Sequence, residues 1–370
     1  MPWMKVRWKN LKKKETEDLM TQTLKQLPWE LEENILSRLP PPSLVRLRTV
    51  CQRWNALFND KSFVNDHFSR SRPGFLFLGS PKNYSIDIIN PNSNDPTTQS
   101  CELPLSAMPY QDLHYRCTTI KACDELLLFN NSQFKLIKKD GAQFNCCGLG
   151  YEIIDRTNKV YKILGYFDPD PEEECTRVAI YECASHVFKH IDLPEHKWFM
   201  SEGVRDTVSL KGNLYWFSLD AETDEYFIRS FDFSVGTFKP FCLLPCQKDG
   251  NYRDELLLQV FKEDRFSLLK QNYLTRKIEI WVTNTIDEEE VVWTKMMNLP
   301  TTNFPRLFEQ FYGKSYFIYD KTLFVCCCEN STSVPCIYIV REDLCKQIHI
   351  DSGIFQCCHC VYTPSLFPVP

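Results

Sequence analysis

Two textures of apolar and polar residues divide this chain. From Leu27, apolar positions recur every four residues at Leu27, Leu31, Ile35 and Leu39, with Leu36 alongside. That period places them on one side of a helix. Pro28 suits a first helical turn, where its missing N–H would find no partner anyway. Glu30, Glu32 and Glu33 set negative charge near the positive end of the helix dipole. Pro40-Pro41-Pro42 stops this helix, and Ser43 is a candidate N-cap for the next. Leu44, Leu47, Cys51, Trp54 and Phe58 follow at steps of three and four, a second stripe, with Thr49 a candidate break midway. Arg46, Arg48, Gln52 and Arg53 take the opposite side. Two or three helices in ~40 residues make a marginal core. Trp29, Val45, Val50 and the stripe residues exceed what it can bury internally. The surplus must meet a partner protein or cap the rest of the chain.

After Arg72-Pro73 the period shortens. Runs such as GFLFLG, YSIDIIN, VAIYEC, NLYWFS, KIEIWV and CIYIV are rich in Ile, Val, Phe and Tyr and are broken by Gly, Asn, Asp and Pro, so they predict strands. They also repeat. Tyr181, Phe231 and Trp281 lie in similar strands at 50-residue intervals. Each is followed by an aromatic residue, a lysine and Leu-Pro: Phe188-Lys189 to Leu193-Pro194, Phe238-Lys239 to Leu244-Pro245, and Trp293-Thr294-Lys295 to Leu299-Pro300. Ile88, Leu136 and Tyr338 extend the series, and Gly212 to Tyr215 recurs at Gly313 to Tyr316. A period of ~50 residues with room for four strands predicts a β-propeller, with six units in this region. A pair of stacked sandwiches is the rival. The expected organisation is a basic extension over 1–24, a helical domain over 25–72 and an all-β domain over 73–370.

The helical stretch resembles an F-box. The matching positions are Leu27-Pro28, Ile35 through Pro40, Ser43-Leu44 and Arg48 through Trp54. The β region resembles the plant F-box-associated interaction domain. The matching pieces include Cys147-Gly148-Leu149-Gly150-Tyr151, Val208 through Trp216, Lys277 through Thr283, Val292 through Lys295, and the tail Tyr362-Thr363-Pro364. A kelch-like propeller is the nearest repeat architecture, although the chain has only 12 glycines and no Gly-Gly pair. The stretch Ala122–Lys139 is poor in Gly and in the aromatic-Asn-Pro strand end.

Composition narrows the functional classes. Apolar content of 43% and charge of 25% are those of a globular protein. The net charge of −5 provides no field for nucleic acid or membrane, the basic cluster of Lys5 to Lys14 apart. No apolar run reaches membrane-spanning length, and no secretory signal is visible, so the expected compartment is cytoplasm or nucleus. The 18 cysteines then read as small buried hydrophobes. Cys357-Cys358-His359-Cys360 with Cys326-Cys327-Cys328 is the most tempting metal motif. On a strand, however, Cys357 and Cys360 point to opposite sides, and no second pair has zinc spacing. His186 and His190 have helical ligand spacing in a strand context. Asp168 to Glu174 and Asp287 to Glu290 are acidic loops. Trp198, Tyr215, Trp216, Trp281 and Trp293 are aromatic candidates for a recognition face, with blade packing the default. No nucleophile motif or phosphate-binding glycine loop is present. No catalytic residue, metal or cofactor is expected, and no target-binding residue can be assigned.

The resemblance implies a substrate-receptor subunit of a Skp–cullin–F-box ubiquitin ligase. Its F-box would dock on a Skp-type adaptor, and through it a cullin, while the β domain holds an unidentified target protein. The expected docking set is Leu27, Pro28, Leu31, Ile35, Leu36, Leu39, Pro40, Leu44, Val50, Cys51 and Trp54. A non-ligase scaffold or decoy, and an enzyme built on a propeller, are the alternatives.

Overall fold

The computed structural model describes residues 27–80, 83–93, 95–103, 117–123, 126–131, 138–139, 142–155, 158–167, 177–191, 207–220, 222–223, 225–246, 254–262, 264–286, 290–299, 304–329, 331–332, 334–350 and 355–363. They form two units, one ending at Ser71 and one beginning at Arg72.

The first unit has four helices where two or three were expected: α1 (Trp29–Leu36), α2 (Pro41–Leu47), α3 (Gln52–Leu57) and α4 (Lys61–Arg70). Pro28 stands one residue ahead of the first turn, and its carbonyl accepts from the Leu31 and Glu32 amides. The second helix starts at Pro41, not after Ser43, because prolines fill the first helical positions at no hydrogen-bonding cost. The second stripe is two helices. Thr49 Oγ1 donates to the Arg46 carbonyl at 3.1 Å as α2 ends, and an extended Cys51 re-caps the chain by accepting the Trp54 amide on its sulfur. Asp60 caps α4 by accepting from Ser62 and Phe63 amides at 2.9 and 3.0 Å. That helix supplies Phe63 and Val64 to a core otherwise made of Leu36, Leu44 and Phe58.

The second unit is built of five larger sheets and a ribbon. Sheet one joins β1 (Gly74–Ser80), β2 (Asn83–Ile89) and β3 (Thr97–Leu103) to the last strand, β23 (Phe355–Tyr362). A ribbon of β4 (Cys117–Cys123) and β5 (Leu126–Asn131) follows. Sheet two contains β6 (Lys138–Lys139), β7 (Ala142–Ile154), β8 (Asn158–Phe167), β9 (Arg177–Glu182) and β10 (Val187–Ile191). Sheet three is β11 (Val208–Leu210), β12 (Asn213–Leu219), β13 (Tyr226–Asp232) and β14 (Thr237–Leu243). Sheet four is β15 (Glu255–Phe261), β16 (Arg265–Gln271), β17 (Ile278–Thr283) and β18 (Trp293–Leu299), preceding a short helix α5 (Leu307–Gln310). Sheet five is β19 (Phe311–Tyr319), β20 (Thr322–Glu329), β21 (Pro335–Val340) and β22 (Cys345–His349).

The strands β23, β4, β11, β15 and β19 touch in succession around a ring that closes on itself. This is a propeller of five blades, not six. The β4–β5 ribbon supplies the ring strand where sheet two has none, and it packs with sheet two in one core, so the two share one of the five positions. The chain there, over Ala122–Lys139, contains no glycine or proline to punctuate four short strands. Radial sheets around a ring set the stacked sandwiches aside.

Each blade is buried on both sides, and side-chain alternation sends successive residues to different neighbours. In β20, Leu323, Val325 and Cys327 join the core shared with sheet four, whereas Phe324, Cys326 and Cys328 join the core shared with sheet one. This is why that strand is an unbroken apolar run. Tyr215 faces sheet four while Leu214 and Trp216 face sheet two.

The repeat marks equivalent places. Counting outward from the ring, or from β7 in sheet two, Ile88, Tyr181, Phe231, Trp281 and Tyr338 all lie on the third strand of their sheets. Leu136 lies outside the described residues. The aromatic-lysine element falls on outer edge strands, and Lys189, Lys239, Lys295 and Lys346 each put a charge on an open edge, which discourages pairing with another chain. The Gly212 and Gly313 elements are not equivalent. Gly212 turns the chain from β11 to β12 at φ +82°, while Gly313 lies at an irregularity within β19. The closing pairing of β1 with β23, Phe77 opposite His359 and Leu76 opposite Cys360, is a feature the strand runs did not announce.

Candidate functional site

The helical unit sorts its apolar residues into two sets. Leu36, Leu44 and Phe58 are almost fully enclosed, with Leu39, Leu47, Trp54 and Leu57 packed around them. Leu27, Leu31, Ile35, Val45 and Val50 are each more than half exposed, and Pro28, Pro40 and Cys51 are exposed as well. Helix geometry explains the division. Leu31 and Ile35 are four apart and share one side of α1, with Leu27 just ahead of the helix, whereas Leu36, one position on from Ile35, turns about 100° away into the core.

The expected docking set therefore has two roles. Leu36, Leu39, Leu44 and Trp54 hold the unit together. Leu27, Pro28, Leu31, Ile35, Pro40, Val50 and Cys51 present an open surface, which Val45 extends. The surface is held firmly. His67 Nε2 lies 2.7 Å from the Leu39 carbonyl, Arg70 donates to Ser37 Oγ at 3.2 Å, and both tie α4 to the end of α1. The Arg48 guanidinium donates to the Phe58 carbonyl at 3.3 Å. Arg53 stacks on Trp29 with its guanidinium carbon 3.5 Å from the ring centroid.

Other candidates are explained by packing. Tyr215 and Trp216 are buried between blades. Trp281 and Trp293 are half-buried beside the core of sheets three and four, where Trp293 Nε1 donates to the Leu243 carbonyl at 3.0 Å. Trp198 and residues 168–174 and 287–289 lie outside the described residues, as does the basic start of the chain. His186 sits in a turn at φ +57° with its Nδ1 2.6 Å from the Tyr181 hydroxyl, and His190 lies on the edge strand beside Phe167. Cys326, Cys327, Cys328 and Cys336 are buried thiols in no disulfide, Cys327 and Cys336 lying 3.7 Å apart through sulfur, and burial pushes each of the Cys326 and Cys327 thiols well up. His359 bonds to Ser315 through Nδ1 at 2.8 Å. Among the described residues no group of His, Cys, Asp and Glu side chains is arranged to hold a metal ion. Nor is any described helix long and apolar enough to cross a membrane.

A small helical unit with an open aliphatic surface, joined to a five-bladed propeller, defines a class of two-part binding proteins. Comparison with known families makes the assignment specific. The F-box domain model matches residues 24–66, and that of the F-box associated beta propeller domain matches residues 75–369. A putative F-box/LRR-repeat protein of Arabidopsis thaliana is 50% identical, covering 93% of this chain and 99% of that protein. Protein SUPPRESSOR OF NIM1 1 of Arabidopsis thaliana is 48% identical over 93% of this chain and 98% of its own. Jacalin-related lectin 38 of the same plant is 35% identical, covering 95% of this chain and 69% of that protein. The chain belongs to the F-box proteins that carry an F-box-associated propeller. The matches do not single out a kelch repeat.

Proposed function

We propose that this protein is the substrate-recognition subunit of a Skp–cullin–F-box ubiquitin ligase. Its helical unit docks on a Skp-type adaptor that binds a cullin, and its propeller holds a target protein in the cytoplasm or nucleus. The observation that carries this reading is the exposed aliphatic row of Leu27, Leu31 and Ile35, with Val45 and Val50, on a unit whose inner residues are closed. Fully burying one such side chain is worth ~1.5–3 kcal/mol. A partner covering this row gains affinity without any refolding of the unit. The role is one of proximity: a target lysine held beside a charged conjugating enzyme meets it at high effective concentration, so the receptor supplies no reacting group.

The test is co-purification of the full chain with a Skp-type adaptor. Leu31→Arg with Ile35→Arg abolishes co-purification while the circular dichroism spectrum is unchanged. Undiminished adaptor binding by that variant overturns the assignment of the surface.

A further inference from the structure

Sheet four carries a second built surface. Asn272 to Lys277 connect β16 to β17, and the segment from Phe304 to Gln310, which includes α5, runs beside that turn into β19. The two are locked together. Gln271, itself buried, donates from Nε2 to the Pro305 carbonyl and accepts the Leu307 amide on Oε1, each at 2.8 Å. Arg306 Nε donates to the Tyr273 carbonyl at 3.1 Å, and its guanidinium lies 4.9 Å from the Tyr273 ring centroid. The Tyr273 amide donates to Asp254 Oδ1 at 2.8 Å. Phe304 and Leu307 are fully buried, Phe304 against Tyr338. Within the turn, Asn272 Oδ1 accepts from the Leu274 and Thr275 amides at 3.1 and 2.9 Å.

On this fixed shelf stand Leu274, 71% exposed, and Phe308, 48% exposed. A scattered exposed leucine needs no explanation. Here Leu274 directly follows Tyr273 and Phe308 lies two residues beyond Arg306, so a bulky apolar group stands next to each member of the stacked pair along the chain, on backbone held by hydrogen bonds. Tyr, Arg and Phe are the residues that interface cores favour, and a pre-ordered shelf loses little entropy on binding. The charge around it is basic in a chain of net charge −5. Arg276, Lys277 and Arg306 border it, and the nearby Glu279 already accepts ion pairs from Lys277 and Lys295 at 2.9 and 2.6 Å. Glu309 is the acid in α5.

We infer that this shelf is where the propeller grips its target, and that the gripped segment is acidic and carries a bulky apolar side chain. The inference rests on the reading of the propeller as a target receptor. An apolar side chain covers Leu274 and Phe308, and the carboxylates meet Arg276 and Arg306. This complementarity sets specificity and orientation.

The full chain is titrated with four fluorescent pools of synthetic peptides of equal length: acidic with aromatic and leucine residues, basic with the same apolar residues, acidic alone and apolar alone. Anisotropy reads binding, and adaptor co-purification is measured on the same preparations. The acidic-apolar pool binds best and weakens as salt rises. Leu274→Ser with Phe308→Ser lowers its affinity by at least ~10-fold, Arg306→Gln reduces the salt dependence, and Val235→Ser, an exposed change on sheet three, leaves binding unaltered. Unchanged melting temperatures separate lost contact from lost fold. Equal binding of all pools, or full binding by the double serine variant, overturns the shelf while adaptor binding stands. Loss of adaptor binding by the unaltered chain overturns the receptor reading instead.

Discussion

The helical unit and the fifth sheet of the propeller spend similar residues in opposite ways. In β20 and β21 every residue from Thr322 to Cys328 and from Pro335 to Val340 is buried. In the helical unit, Leu27, Leu31, Ile35, Val45 and Val50 stand open while five apolar side chains are buried. The sheet has neighbours in its own chain on both sides. The helical unit closes a minimal core and leaves the rest exposed. Apolar surplus in a unit too small to bury it is thus a sign of a docking role, whereas the same residues in a strand between blades are architecture.

The largest effect should come from opening the ring. Removing residues 355–370 takes away β23 and leaves β1 without its partner from Gly74 to Ser80. We expect no soluble monomer by size-exclusion chromatography, because the edge of β1 becomes available for intermolecular pairing and the ring is left open. A monomeric product with native β-sheet circular dichroism would mean that closure is dispensable.

The contrast between the two regions sharpens with matched core truncations. Leu44→Ala should cost ~2–5 kcal/mol and Phe324→Ala ~3–5 kcal/mol. The first is expected to unfold the helical unit alone, since so small a core has little reserve. Amide hydrogen exchange would then show protection lost over residues 29–70 but retained in the propeller. Leu31→Ala, on the open side, should change stability by less than ~0.5 kcal/mol. Equal losses from Leu44 and Leu31 would erase the division of roles.

Close packing between blades gives a smaller effect. A Cβ on Gly150 would lie 2.2 Å from the Gly212 carbonyl oxygen and 2.2 Å from the Phe233 ring. Gly150→Ala should cost ~1–3 kcal/mol, read from a urea midpoint shift. The smallest effect is in acid. Burial pushes the Asp232 carboxyl up, but hydrogen bonds from Ser234 and Val235, with Lys239 nearby, outweigh it and hold it below the ordinary carboxylate value. Burial likewise raises Glu279, and Lys295 and Lys277 more than offset it. Carboxyls depressed in the folded state stabilise it above their unfolded pKa of ~4, and that contribution is lost as pH falls through the lower folded values. Propeller stability should therefore decline below about pH 4, with a shallower decline in Asp232→Asn and Glu279→Gln variants. Identical acid curves for all three proteins would remove these two residues from the account.

Much of this was legible in sequence because it depends on local period. The stripe of Leu27, Leu31, Ile35 and Leu39 identified a helix, and the interval from Tyr181 to Phe231 to Trp281 fell on the third strand of successive sheets. What failed to show depends on distant contacts or on single caps. A stripe at steps of three and four runs on through Cys51 without revealing that its sulfur restarts the helix. Nothing local in Phe63 and Val64 says that a fourth helix closes the core. The blade count rested on counting intervals, and the interval around Leu136 carried the least regular sequence. The shelf of Leu274 and Phe308 had no signature, because the turn that carries the leucine and the segment that carries the phenylalanine are joined only through the hydrogen bonds of Gln271 and Arg306.

The pairing of the first strand with the last also orders events during synthesis. The helical unit leaves the ribosome before the propeller, and its four helices are out once Ser71 has emerged. Sheet one has to wait for residues 355–362, which start 275 residues after β1 ends (355 − 80). Throughout that interval Phe75 and Phe77, which end fully buried, lack the C-terminal strand beside them. The nascent chain is thus a candidate for chaperone holding, and a prematurely terminated product would display a finished helical unit on an unfinished propeller.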